Sequence, residues 1–224
     1  MLVFVAADPM EFAGLRRHCA RVAAASLPLA WSRTAELHGT PILMIANGTG
    51  AKQAAQAVDV GAPGSSAVVS TGFCGALDPA LAIGDIFVAT SLGGVPIPAP
   101  RSCRPHSGGA LASIDHVAQT AAEKRELHAR GAAAVEMEAS GVFARAQALG
   151  LPFFCVRSVT DLAGESFAND FNRALRADGH FGTMQILRSA IRRPAVRLPE
   201  LVRLRRRCAI AAGTLGEFLA DCRF

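Results

Sequence analysis

Two apolar runs, each ending in acidic residues and separated by one helix's worth of chain, constrain this sequence more than any other feature. The first, Gly131-Ala-Ala-Ala-Val135, meets Glu136 and Glu138 and opens a segment from Ala139 to Leu149 with Val142, Ala146 and Leu149 at helical spacing. The second, Pro152-Phe-Phe-Cys-Val156, is continuously apolar, as a strand covered on both faces must be, and ends at Arg157 and Asp161. A strand-helix-strand unit of this kind belongs in an α/β sheet. In such sheets the ligand crevice lies outside the carboxyl ends of the strands, so Glu138 and Asp161 are site candidates by position.

The remaining pattern is of the same class. Leu2 to Ala6 reads as a buried strand, and Pro9 begins a helix running through Leu15 and His18, with Glu11 in its first turn. Leu27 to Trp31 and Ile42 to Ala46 read as strands, the second ending at Asn47-Gly-Thr-Gly50 before a helix from Ala51 to Val58. Ala67 to Thr71 is another buried strand; it runs into Gly72-Phe-Cys-Gly-Ala-Leu77, and Gly84 to Ala89 gives one more. Residues 91–109 are rich in Gly, Pro and Ser, which predicts an active-site or interface loop. Ala110 to Ile114, a helix around Ala121 to Ala129, helical sequence after Gly164 to about Ile191, and an amphipathic helix from Leu198 to Leu219 complete the chain. The expected fold is one α/β domain over residues 1–224, a mixed central sheet flanked by helices, with a basic helical tail at 192–224.

An apolar content of 51 % is ample for a buried core. Eight arginines between Arg188 and Arg207 account for more than the net charge of +5, so the rest of the chain is near neutral and a nucleic-acid partner is not expected. The arginine-rich tail has two readings: a solvated helix face, or peripheral contact with an anionic membrane surface. Six irregularly spaced cysteines without a C-x-x-C pair predict neither zinc nor a disulfide framework, and no other metal is expected. No apolar stretch reaches the roughly 18–20 residues of a membrane span. With no basic segment before Leu2, a cytoplasmic location is expected.

Three segments taken in order resemble the nucleoside phosphorylase and nucleosidase superfamily: Ser70-Thr-Gly-Phe-Cys-Gly-Ala-Leu77 with Gly84-Asp85 after it, Val135-Glu-Met-Glu-Ala139, and Val156-Arg-Ser-Val-Thr-Asp161. The resemblance runs from Val3 to about Ala163. It implies cleavage of a nucleoside's N-glycosidic bond, through an oxocarbenium-like sugar and a departing base that must be protonated. Asp161 then corresponds to the acid that protonates purine N7, with Thr160 orienting it; a helix N-cap is the competing reading of that aspartate. Glu138 corresponds to the glutamate holding the ribose hydroxyls, and Met137 to the apolar wall under the ribose. Glu136 has no role in the pattern and reads as solvated or salt-bridged. Gly72 and Gly75 would bring backbone N–H donors close to the ligand, flanking Phe73, while Cys74 reads as packing.

Water and phosphate are the two nucleophiles the superfamily uses. Its phosphorylases hold phosphate with a glycine-rich, arginine-bearing loop after the first strand. Here that place reads Ala6-Ala-Asp-Pro-Met-Glu11, which is acidic and would repel phosphate. Glu11 falls where the nucleosidases carry the glutamate that activates water, a role suited to an unpaired carboxylate facing the sugar, so the resemblance implies hydrolysis without a cofactor; a favourable acidic residue in a helix's first turn is the competing reading. The alternative is phosphorolysis, with phosphate as co-substrate held through Arg157 and the Gly72 to Gly75 loop. A third reading is a catalytically silent nucleoside- or lipid-binding protein.

Ala112-Ser-Ile-Asp-His-Val117 resembles the nucleosidases' base-binding strand, with Asp115 matching its acidic residue and Val117 standing where a stacking phenylalanine is expected. The segment Ser113 to Ser140, with Ala121-Ala-Glu-Lys124 inside it, and the arginine-rich tail are similar to the hopanoid-associated phosphorylase branch, whose proposed substrate is adenosylhopane. An apolar 5′ substituent would suit Phe73, Phe87 and Val117. The resemblance also implies a homo-oligomer, most simply a dimer, acting on a small-molecule nucleoside.

Overall fold

The computed structural model describes residues 1–224. Ten strands form one mixed sheet: β1 (Leu2–Ala6), β2 (Cys19–Ala24), β3 (Trp31–Leu37), β4 (Thr40–Ala46), β5 (Ala67–Ala76), β6 (Ile86–Leu92), β7 (Val95–Pro96), β8 (Ser107–Ser113), β9 (Ala134–Glu136) and β10 (Phe153–Asp161). The helices are α1 (Ala51–Gly61), α2 (Ala121–Ala129), α3 (Ala139–Ala148), α4 (Phe171–Ala174), α5 (Thr183–Ile191) and α6 (Pro194–Asp221). This is the mixed α/β sheet flanked by helices that the sequence predicts. No helix is long and apolar enough to cross a membrane.

Strand order is β10-β6-β8-β9-β5-β1-β4-β3-β2, and β10 also pairs with β5. The pairings of β5, β10, β6, β8 and β9 therefore close into a ring, from which β1, β4, β3 and β2 extend as an open sheet. Parallel β1, β5 and β10 form its centre, Val68 lying opposite Val3 on one side and Phe153 on the other. Each of these strands is buried at nearly every position because both faces are covered. Val3, Val5 and Cys155 pack with Ala54 and Val58 of α1 and Val142 of α3, whereas Phe4, Val69 and Val156 pack with Leu215 and Phe218 of α6.

The helices approach closely where side chains are missing. A Cβ on Gly141 of α3 would lie 1.9 Å from the Ala51 carbonyl oxygen of α1, and one on Gly216 of α6 would lie 2.1 Å from the Gly14 backbone. Several local expectations are corrected. The helix expected from Pro9 to His18 is two short 3₁₀ turns, Pro9–Phe12 and Leu15–His18. The strand expected at Leu27 to Trp31 begins only at Trp31, because Leu27 to Ala30 turn back into the sheet through local backbone bonds. Between Asp161 and Ile191 only α4 and α5 are helical.

Of the two readings of residues 91–109, active-site or interface loop, the first is corrected: no residue of this stretch lines the cleft. Its Ser102 hydroxyl donates to Asp221 at 2.7 Å, Arg104 pairs with Glu217, and Arg101 bridges to Arg223, so it packs against the end of α6.

Candidate active site

The two strand ends that open the sequence argument converge on one residue of β5. Gly75 lies opposite Val135 of antiparallel β9 on one side and Asp161 of parallel β10 on the other. A Cβ there would stand 2.7 Å from Asp161 Oδ2 and 3.3 Å from Val135 Cγ1, so glycine lets both strands close on the same spot. Above it opens a cleft of about 210 Å³, lined by Glu11, Phe73, Gly75, Val117, Met137, Glu138, Thr160 and Asp161 among others. It is continuous with an apolar cavity of about 570 Å³ that adds Met10, Phe171, Ile186, Leu204 and Cys208.

Asp161 is 7 % exposed. The Thr160 hydroxyl donates to its Oδ1 at 3.2 Å and lies 3.3 Å from the Cys74 carbonyl, the orienting role expected of it. Oδ2 accepts from the Lys124 ammonium, which also donates to the Leu162 carbonyl at 2.9 Å and sits 5.3 Å above the Phe167 ring. Burial raises the proton affinity of Asp161, and Lys124 opposes that rise. Sequence reasoning missed this lysine. It is 0 % exposed although α2 is otherwise mostly polar, and the only signal was that the chain has two lysines among 23 basic residues.

Glu138 accepts from the Gly50 N–H at 3.0 Å, at the start of α1. Burial first, and then the neighbouring Glu136 charge, push its carboxyl up to about 8. Glu136 is salt-bridged, as one of its two expected readings had it: it pairs with Arg157 and accepts from the N–H groups of Glu138 and Ala139, both at 2.9 Å, which caps α3. Met137 lines the cleft between them.

Glu11 also faces the cleft, but it is not the unpaired carboxylate expected there. Its Oε2 accepts from Ala7 and Asp8 at 2.8 and 2.9 Å, completing a capping box with Asp8, and its Oε1 accepts from Phe73 at 2.7 Å. The first-turn reading of this residue is therefore met by the capping box, while its carboxylate still lines the cleft. Oε1 keeps a second lone pair for a donor in the cleft. Burial raises its proton affinity against those three backbone donors and the Arg157 charge.

Four expected ligand contacts are corrected. Arg157 is 0 % exposed and lines neither cavity; its guanidinium is committed to Glu136, to the Ser70 hydroxyl at 2.7 Å and to the Thr71 carbonyl at 2.9 Å. Gly72 also lies below the cleft. Its φ of +138° and the 2.4 Å between a would-be Cβ and Glu11 Oε1 show that it makes room for the Glu11–Arg157 layer and does not touch a ligand. Asp115 points into solvent, its side chain 98 % exposed and paired with His116. His116 instead reaches the cleft wall. Phe87 is wholly buried among β-sheet residues and lines no part of the cavity. Cys74 has its thiol pushed well above the usual range by burial, in keeping with packing and not with nucleophilic attack.

A family model described as "Phosphorylase superfamily" matches residues 2–101 and 98–180. No curated protein matches the chain. Among solved structures, the 5′-methylthioadenosine/S-adenosylhomocysteine nucleosidase of Neisseria meningitidis in complex with methylthio-immucillin-A is 19 % identical, with a TM-score of 0.71 over 98 % of this chain and 96 % of that one. The corresponding nucleosidase of S. pneumoniae with a transition-state inhibitor gives 17 % identity and a TM-score of 0.69 over the same shares. The futalosine hydrolase of Helicobacter pylori gives 18 % and 0.71, over 98 % and 95 %. At these identities the likeness establishes a shared fold. Because the family model spans most of the chain, this protein belongs to the phosphorylase superfamily.

Proposed function

We propose that this protein hydrolyses the N-glycosidic bond of a 5′-substituted, adenosine-type nucleoside and releases the base. One observation carries the choice of water over phosphate. Three buried carboxylates, Glu11, Glu138 and Asp161, face one cleft, and no arginine or lysine side chain is among the residues lining it or the adjoining cavity. A phosphate dianion needs paired cationic or N–H donors. The arginine available for it is spent beneath the floor, and the Phe73 N–H is already donated to Glu11.

In this reading three carboxylates have separate roles, each supported by its surroundings. Asp161, steadied by Thr160 and held in check by Lys124, donates a proton to the departing purine at N7. Glu138 accepts hydrogen bonds from the ribose hydroxyls and offsets charge developing on the sugar, with Met137 as its apolar floor. Glu11 Oε1 accepts a proton from the attacking water. The 570 Å³ apolar extension, walled by Phe73, Val117, Phe171 and Ile186, suits an apolar 5′ group. The structural neighbours, two nucleosidases and a futalosine hydrolase, support the same reaction class.

The test is release of adenine from adenosine and 5′-methylthioadenosine, measured with and without inorganic phosphate. Hydrolysis predicts equal release in both, and loss of about 10²–10⁴-fold in Asp161→Asn. Release that requires phosphate refutes water as nucleophile, unchanged release from Asp161→Asn refutes the acid, and no release from either nucleoside favours a binding protein.

A further inference from the structure

A second cavity, of about 250 Å³, lies away from the cleft between α4, α5 and α6. Its lining is almost wholly polar: Asp170, Arg173, Gln185, Arg188, Arg192 and Arg197 supply most of it. Four guanidiniums thus face one carboxylate. The ion pairs of this region are Arg176–Asp178 and Arg207–Glu165, and neither uses any of the four. Arg197 is fixed by donating to the carbonyls of Ala168 at 2.9 Å and Ser189 at 2.7 Å, while Asp170 is occupied in capping α4. A concave group of arginines without acidic partners matches a phosphate ester in charge and in donor geometry.

Beside this cavity the protein exposes a stripe that an ordinary water-facing helix would not carry. Met184, Leu187 and Ile191 of α5 follow one another at i, i+3 and i+7, and they are 63 %, 42 % and 71 % exposed. Arg188 falls on the same face, and Arg192 continues it. On the opposite face of α5, Ala190 is fully buried and Ile186 forms a wall of the apolar cavity next to the active-site cleft. The helix is therefore amphipathic in two senses: one side belongs to the core and the other combines bare apolar side chains with cations.

From this combination we infer that α5 and the start of α6 dock on an anionic phospholipid surface. Met184, Leu187 and Ile191 enter the headgroup boundary, and Arg173, Arg188, Arg192 and Arg197 receive lipid phosphates. Charge complementarity selects this occupant. A second copy of the chain would bring the same arginines against one another. Docking also sets the apolar cavity, whose wall is the buried side of the same helix, next to the bilayer. The inference concerns the outer face of α5 and the arginine cavity, which share no lining residue with the cleft, so it stands or falls apart from the reaction proposed above.

The test is sedimentation of the full-length protein with large vesicles of phosphatidylcholine alone or mixed with phosphatidylglycerol, at low and high salt. Binding is expected to the mixed vesicles and to weaken as salt rises. Each basic residue near the surface contributes about five-fold in partitioning, so Arg188→Gln with Arg192→Gln is expected to weaken it about 25-fold. Ile191→Asp, at an exposed position, is expected to abolish binding without altering the thermal melt. Inorganic phosphate at the vesicles' own phosphate concentration should leave the protein bound. Equal binding to both vesicle types, no binding at low salt, or full release by free phosphate would each overturn the proposal. So would a dimer that Ile191→Asp dissociates in the absence of lipid binding.

Discussion

Removing Lys124 tests how the candidate acid is set. Its ammonium is wholly buried and meets Asp161 Oδ2 behind a cleft that no arginine or lysine side chain lines. At an effective dielectric of 20 a pair about 4 Å apart attracts by about 4 kcal/mol, and this contact is closer. Breaking a buried pair by removing one partner typically costs about 3–5 kcal/mol, because the surviving charge is stranded. Asp161 can relieve that by taking up a proton, since burial already raises its proton affinity and only Lys124 and Thr160 hold it down. Lys124→Met and Lys124→Gln should therefore lose stability mainly at high pH. With the folded-state affinity of Asp161 raised further above its unfolded value, the cost is small where the carboxyl is protonated and grows as pH rises. The kinetic consequence has the same sign. If protonated Asp161 delivers the proton to the base, the descending basic limb of kcat/KM should move to higher pH by about one to three units, the effect of an opposite charge at this range. Glutamine keeps a neutral donor toward Leu162 and Asp161, so both variants must shift if charge is the cause, with Lys124→Gln melting higher. The assays are thermal melts from pH 5 to 9 and initial rates of adenine release over the same range. Limbs that coincide in all three proteins, or that move to lower pH in the variants, would refute the role assigned to Lys124.

Glu11→Gln should lower kcat by about 10²–10⁴-fold with little change in KM. It should also reduce stability by about 1–3 kcal/mol, because both carboxylate oxygens accept backbone N–H groups and the amide nitrogen must face one of them; activity within tenfold of the parent in a steady-state assay would exclude it as the base. For Glu138 the carboxyl is raised from 4.5 to about 8, so its ionisation costs stability that accumulates from pH 4.5 to pH 8 and is complete above that. Glu138→Gln should accordingly melt close to the parent below pH 4.5 and progressively higher than it toward pH 8, while losing activity throughout. A melting difference independent of pH would contradict the buried-charge account.

What could be read from the sequence was whatever continuous apolar character and short-range motifs encode. β1, β4, β5 and β10 each carry a continuous apolar run because helices cover both faces, and the carboxylates at Glu138 and Asp161 are visible beyond the places where such runs stop. β2 was invisible for the opposite reason. At the open edge of the sheet, Ala20 to Ala24 are all exposed, so no alternation marks them. Residues 91–109 have the composition of a binding loop, yet composition does not say which end of the sheet a loop reaches. Asp115 matched a motif by position along the chain, while its side chain leaves the strand toward solvent. Lys124 and Arg157 went unread in their actual roles because each depends on a partner distant in sequence, Asp161 for one and Glu136 and Ser70 for the other. The layer of buried ion pairs under the cleft is a tertiary property.

The convergence at Gly75 has a consequence for how this protein comes into being. Its three strands, β5, β9 and β10, are drawn from the middle of the chain and well beyond it, and the cavity is closed by α6, whose residues also pack against Gly14 near the start. Contacts so distant in sequence form late and slowly, since loop closure must precede the packing that rewards it. A growing chain on the ribosome holds no cleft until almost all of it has emerged. The three carboxylates come from positions 11, 138 and 161, so no single stretch of the chain can assemble the cleft on its own.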